Sequence, residues 1–253
     1  MKITYLGQCG FIIENDGVQV VTDPYLSDSV DRLYYSESTP WKRNYPAPVA
    51  LEDINPDLIL ISHGHGDHMD PDTLCPYRKN GGTAPIIVPL PEMDNIAKWG
   101  VDGVIGAKAE DSVNFGNITV TPVACAHTQL HTNEPGHFYE LSYLIDFGNG
   151  ERVFFGGDFS LYDGIEKRLQ MAKPSLLLLP ANGRDDDRTS RDIIGNTTPK
   201  EAAELAARLG IPWIPMHHDL YEINRCAPHE PADESIKAGA KIVSLKPMES
   251  YAM

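Results

Sequence analysis

Between positions 63 and 68 the chain reads His63-Gly64-His65-Gly66-Asp67-His68, three imidazoles and a carboxylate in six residues. Imidazole nitrogens combined with carboxylate oxygens suit zinc, manganese or iron in hydrolytic sites. The apolar run Leu58-Ile59-Leu60-Ile61 comes just before, so the cluster sits at the end of a buried strand. Gly64 and Gly66 allow a tight turn around an ion. A tag or a solvated histidine tract is an uninterrupted run, whereas this cluster is broken by glycines and follows a strand.

One turn does not supply enough donors for a complete site. Four further residues each follow an apolar strand at its C-terminal end: Asp23 after 18–22, His127 after 118–126, Asp158 after 153–155 and Gly156-Gly157, and His217 after 211–216. Strand ends on one edge of two packed sheets converge, which would bring these side chains to the 63–68 cluster. His218 is adjacent to His217, and neighbouring residues on a strand point opposite ways.

The positioning elements read as follows. Segments 3–6, 11–13 and 18–21 form short strands, with Asp16-Gly17 as a hairpin turn. Residues 25–50 are an irregular insert, too long for an idle loop. Strands are expected at 58–61, 85–88, 113–125 (broken at Gly116-Asn117), 141–147, 152–155, 175–179, 213–216 and 241–245. Helices are expected at 91–99, 160–171, 202–209 and 232–238. Thr198, Pro199 and Glu201 give the third of these a capped start, and Gly210 ends it. No composition shift marks a linker, so residues 1–253 read as one domain: two sheets face to face with helices outside.

At 253 residues the chain can bury a large core, and its 42% hydrophobic and 23% charged content is ordinary for a soluble globular protein. A net charge of −15 disfavours nucleic acid, whose binding depends on neutralising phosphates. No apolar run approaches the roughly 20 residues of a membrane span, and the N-terminus lacks a signal-peptide core. Cys9, Cys75, Cys125 and Cys226 form no CxxC pair, which points to a reducing cytoplasm. Arg184, Arg188 and Arg191 share a polar loop with Asn182; arginine forks suit phosphate or carboxylate, but the interleaved Asp185-Asp186-Asp187 and Asp192 offer them partners. Tyr25 and His131 stand near the expected pocket mouth.

The order Asp23, the 63–68 cluster, His127, Asp158, His217 resembles the metallo-β-lactamase superfamily over the whole chain. The resemblance implies an α/β fold, a four-layered αββα sandwich with a metal site on one edge. It implies that His63, His65 and His127 hold one divalent ion and that Asp67, His68 and His217 hold a second. Asp158 would then bridge them, with Asp23 and His218 behind the ligands. The segments Leu179-Pro180-Ala181-Asn182-Gly183-Arg184, Ile194-Gly195-Asn196-Thr197-Thr198 and Pro215-Met216-His217-His218-Asp219 resemble the L-ascorbate-6-phosphate lactonase branch. That likeness implies manganese-dependent opening of a small carbohydrate lactone, phosphorylated or not, by an oligomeric enzyme, with zinc as the other candidate ion. Asp67 and Asp158 would act in catalysis, and Asn182, Arg184, Tyr25 and His131 would bind substrate. Two readings compete: a phosphodiesterase acting on a small cyclic diester, and a metal-binding module without activity.

Overall fold

The computed structural model describes all 253 residues. Strands β1 (Lys2–Gly7), β2 (Gly10–Asn15) and β3 (Val18–Thr22) form an antiparallel meander. Asp16 and Gly17 take φ of 50° and 80°, the left-handed pair that a two-residue hairpin requires. β4 (Leu58–Leu60), β5 (Ile86–Pro89) and β6 (Val104–Ala107) then add in parallel. In the second sheet β7 (Val113–Phe115), β8 (Ile118–Ala124), β9 (Leu141–Asp146) and β10 (Arg152–Phe155) pair antiparallel. β11 (Leu176–Pro180) and β12 (Trp213–Met216) extend that sheet in parallel. The last strand, β13 (Ser250–Ala252), returns to the open edge of β1.

The uniformly apolar runs divide by strand period. Leu58 and Leu60 face the core between the sheets, where they join Ile3, Tyr5, Tyr143, Phe155, Leu176 and Leu178. Ile59 and Ile61 face the other way, onto Leu74 and Tyr77 of helix α3 (Pro71–Lys79). Leu177 and Leu179 likewise turn outward, onto Ala202, Leu205 and Ala206 of helix α7 (Pro199–Leu209). A strand covered on both faces needs no polar alternation, which is why these runs are continuous. The result is the expected αββα sandwich. Helix α7, at 11 residues, is too short to hold by itself and relies on this packing together with its ends. Thr198 and Glu201 form a complete capping box, and Gly210 closes the helix in the left-handed conformation.

The remaining helices are α1 (Ser29–Tyr34), α2 (Leu51–Ile54), α4 (Met93–Ala97), α5 (Ile165–Ala172), α6 (Asp186–Ser190) and α8 (Glu230–Ala238). Several expectations need correction. The helix expected over 160–171 begins only at Ile165, because Ser160 is bridged to Ala126 and Gly164 turns at φ 93°. Residues 91–99 split into a 3-10 turn, Leu90–Glu92, followed by α4. Residues 241–245 do not form a strand; one bridge, Ile242 to Trp213, is all that pairs there. The 25–50 insert is partly ordered as α1. No helix is long and apolar enough to cross a membrane.

Candidate metal centre

The parallel pairing of β3 with β4, and of β10 with β11 and β12, sends their C-terminal ends to one edge. There the sheets are stitched by backbone bonds: Leu141 N–H to Ser62 O at 2.9 Å, Ser160 N–H to Ala126 O at 2.7 Å and His217 N–H to Gln8 O at 2.8 Å. Close approach also needs Gly157 (φ 64°), where a Cβ would stand 2.7 Å from Ser62 Cβ. After β4 the chain makes one turn, with Met69 N–H bonded to His65 O at 2.8 Å, and then enters α3. Asp70 caps that helix through Asp72 N–H at 3.1 Å, and Pro71 occupies its first position.

Three sets of donor atoms result, each lying within 4.8 Å of one another: His63, His65, His127 and Asp158; Asp67, His68 and His217; and Cys9, His68 and Asp158. His63 Nε2 is 2.9 Å from His65 Nδ1, and His127 Nε2 is 3.4 Å from Asp158 Oδ2. The other Asp158 oxygen, Oδ1, is 3.3 Å from both His68 Nε2 and His217 Nε2. Asp67 Oδ2 lies 3.3 Å from His217 Nε2 and 3.6 Å from His68 Nε2. Asp158 therefore turns one oxygen toward each histidine group. Asp23, fully buried, accepts from Ser62 N–H at 2.7 Å and from Ser62 Oγ–H at 2.5 Å, and its Oδ2 is 2.7 Å from His68 Nδ1. Ser62 Oγ is in turn 2.9 Å from His63 Nδ1.

These donors fit divalent ions. His68 Nε2 is buried with no hydrogen-bond partner, an orphan that buried polar atoms rarely tolerate. Burial pushes His63 down and His127 down to about 4, so both offer lone pairs at neutral pH. Burial opposes the charges of Asp67 and Asp158, yet the positive charges of His68 and His217 outweigh it and hold both carboxyls well below the usual range. Burial likewise opposes the charges of His68 and His217, but Asp158 and Asp67 push both imidazoles up, so a bound ion would displace their protons. Two ionised carboxylates among histidines are a divalent-ion donor set by chemistry as well as by geometry.

A sequence profile of the β-lactamase superfamily domain matches residues 19–218. The chain belongs to the metallo-β-lactamase superfamily. It is 30% identical to the UPF0173 metal-dependent hydrolase of Methanopyrus kandleri over 261 residues, covering 99% of each chain. It is 28% identical to the UPF0173 metal-dependent hydrolase of Archaeoglobus fulgidus, covering 99% of this chain and 98% of that one. Among solved structures, Igni18, a metallo hydrolase from Ignicoccus hospitalis, superposes with a TM-score of 0.74 at 21% identity, covering 100% of this chain and 98% of that chain. The protein is thus a metal-dependent hydrolase of the UPF0173 family.

In this metallo-β-lactamase fold the donor sets open into a cleft of about 330 Å³ whose floor includes His65, Asp67, His127, Asp158 and His217. Its walls are Val30, Tyr34, Trp41, Ile193 and Ile194, with Asp192 and Asn224 as the further polar contributors; no lysine or arginine lines it. Arg184 lies in a neighbouring cleft with His131, and its guanidinium already grips Glu201, at 2.6 and 2.8 Å, as well as Asn196 O. Arg188 is similarly held by Asp185 and Asn182 O. Asn182 is buried and donates to Asn224 Oδ1 at 2.9 Å, which places it behind the cleft wall. Tyr25 is also buried, with its hydroxyl 2.8 Å from that of Tyr221, and it braces Val30 through that residue's N–H. His218 lines a different cleft with Asp219 and Arg225, so it stands away from the donor sets; adjacent residues diverge at the strand end.

Sequence reasoning missed Gln8, Cys9, Trp41 and the Ile193-Ile194 wall. The α3 helix had a readable signal, Asp70-Pro71, which is an N-cap followed by proline. Trp41 had none, since it reaches the cleft only by packing edge-on against Tyr221, 5.1 Å between centroids.

Proposed function

We propose that this chain hydrolyses a small uncharged carbonyl compound, an ester or a lactone, at a two-ion centre. One observation carries the choice of substrate. The cleft over the donor sets is walled by apolar side chains and Asp192, and the nearby arginines are committed to Glu201, Asp185 and backbone carbonyls. Beyond the ions themselves, an anionic phosphate would meet Asp192 and no lysine or arginine to pair with its remaining charge. A neutral carbonyl compound meets apolar walls that shed water on binding.

His63, His65, His127 and one oxygen of Asp158 would hold one ion; Asp67, His68, His217 and the other oxygen would hold the second. Such ions supply Lewis acidity and a nucleophilic water near neutral pH. Asp67, at the cleft floor, would orient an attacking water and carry a proton toward the leaving alkoxide. Asp23 holds His68 by Nδ1, so that Nε2 keeps its lone pair for the ion. Trp41, Val30 and Ile193 exclude bulk water.

The test is initial-rate hydrolysis of neutral lactones, phosphorylated lactones and bis-p-nitrophenyl phosphate by the manganese- or zinc-loaded protein. Neutral lactones are expected to turn over fastest, with all turnover lost in chelator. His65→Ala and Asp158→Ala are expected to lose activity and bound metal together. Turnover of the diester alone overturns the carbonyl reading.

A further inference from the structure

Gln8 belongs to none of the three donor sets, yet its side chain ends between two members of one. It is 2% exposed, and its terminal Nε2 lies 2.7 Å from Asp67 Oδ2 and 2.9 Å from His217 Nε2. Those two atoms are 3.3 Å apart. The backbone of Gln8 is pinned as well: its carbonyl accepts from His217 N–H at 2.8 Å and from Tyr5 Oη–H at 3.2 Å. Its φ of 52° lies in the left-handed region that residues other than glycine avoid. Such a conformation persists only where surrounding contacts impose it, and it is a mark of functional positions.

The two ends of a carboxamide have the same shape, and a half turn exchanges nitrogen for oxygen without moving anything else. With nitrogen inward, Gln8 covers the lone pair by which His217 would hold an ion. With oxygen inward, it adds a donor beside Asp67 and His217. The spacing fits the second arrangement. Adjacent ligands of a six-coordinate ion with bonds of ~2.1 Å stand about 3 Å apart. The triangle formed by the Gln8 terminus, Asp67 Oδ2 and His217 Nε2 has edges of 2.7, 2.9 and 3.3 Å.

We propose that Gln8 supplies an amide oxygen to the ion held by Asp67, His68 and His217, an assignment that rests on the two-ion reading above. The second position then carries two oxygen donors besides Asp158 and takes a six-coordinate ion of the manganese type. The histidine-rich first position remains suited to zinc.

Chelator-competition titration with Mn²⁺ on the full-length chain tests this with Gln8→Leu and Gln8→Glu beside the parent, and thermal melts of the ion-free proteins check the fold. The parent is expected to bind two ions. Gln8→Leu is expected to weaken one of them about 10- to 100-fold and to leave the other unchanged. Gln8→Glu, which keeps an oxygen and removes the N–H donor, is expected to bind that ion at least as tightly as the parent. The proposal is overturned by unchanged affinity in Gln8→Leu, or by a parent that binds a single ion. It is equally overturned if Gln8→Glu binds more weakly than Gln8→Leu, because that makes Gln8 a hydrogen-bond donor that positions Asp67. If Gln8→Leu does not fold, the near-isosteric Gln8→Glu decides between oxygen and N–H by itself. Substrate turnover is scored separately: a parent that binds two ions but opens no ester or lactone sinks the hydrolytic reading and leaves the Gln8 assignment to the affinities.

Discussion

Asp23→Asn changes one atom for another of the same size and should reverse a proton relay. In the native protein Asp23 Oδ2 accepts from Ser62 Oγ–H and from His68 Nδ1–H. Because the serine proton is spent on Asp23, Ser62 Oγ accepts from His63 Nδ1–H. One carboxylate therefore fixes two tautomers, and both leave Nε2 free for an ion. In the variant, Oδ1 still accepts from Ser62 N–H, so the amide nitrogen replaces Oδ2. Its two hydrogens turn to His68 Nδ1 and Ser62 Oγ, and Ser62 now donates to His63 Nδ1. Both imidazoles then carry their proton on Nε2, where the ions should be. The bonds that hold the wrong tautomers, from the new amide at position 23 to His68 and from Ser62 to His63, are neutral and worth about 0.5–1.5 kcal/mol each. Each ion must break one of them to reach Nε2, which corresponds to about 2- to 10-fold in affinity for each ion. The assay is chelator-competition titration on the folded variant, with near-native thermal unfolding of the ion-free protein as control. Ser62→Ala should weaken only the ion held by the His63 set. An Asp23→Asn protein that binds both ions as tightly as the parent would refute the relay.

Gly157→Ala adds a Cβ 2.7 Å from Ser62 Cβ at a positive φ; urea denaturation should show a loss of about 1–3 kcal/mol or more, with reduced metal uptake. Thr198→Ala removes the capping box of α7, and a loss of about 1 kcal/mol should appear as a lower Tm. Ser235→Ala leaves the Trp213 indole N–H, now bonded at 3.1 Å, buried without an acceptor, at a cost of about 1–3 kcal/mol by the same assay. Arg184→Ala should change kcat/KM equally for phosphorylated and neutral lactones and cost under about 1 kcal/mol, since the pair with Glu201 is partly exposed. Burial opposes the Glu201 charge, but Arg184 and the Thr198 N–H hold its carboxyl below the usual range. That pair therefore stabilises the fold above the ordinary carboxylate pKa, and its contribution fades as pH falls through the lowered one. The Tm difference between Arg184→Ala and parent should shrink in acid.

Much of the site was legible because its residues sit at the ends of strands, and strands announce themselves by apolar runs. His63–His68 follows β4, Asp158 follows β10, and His217 follows β12. Parallel pairing within each sheet and the docking of one sheet on the other then bring them to one edge. What the sequence hid depends on distant contacts. Gln8 is a lone amide between Gly7 and Cys9, and it is placed by the bonds its carbonyl accepts from His217 N–H and Tyr5 Oη–H. The strand 250–252 has three residues, two of them exposed, and is defined by its pairing with β1 rather than by its own composition. Arg184 looked like a phosphate fork until Glu201, 17 residues on, proved to be its partner.

Because the donors come from both sheets, no stretch of unfolded chain can assemble either set. His63, His65 and His68 are close in sequence, but Asp158 and His217 arrive only when the second sheet docks. On the two-ion reading, ions would bind the native state better than the unfolded chain, where only the 63–68 cluster is left to hold them, and would stabilise it by up to RT ln(1 + [L]/Kd). Ion occupancy would then act as a ratchet on domain assembly. Complete loading would follow folding, and a loaded protein would have to release its ions, or tear the sandwich apart with them in place, before it could unfold.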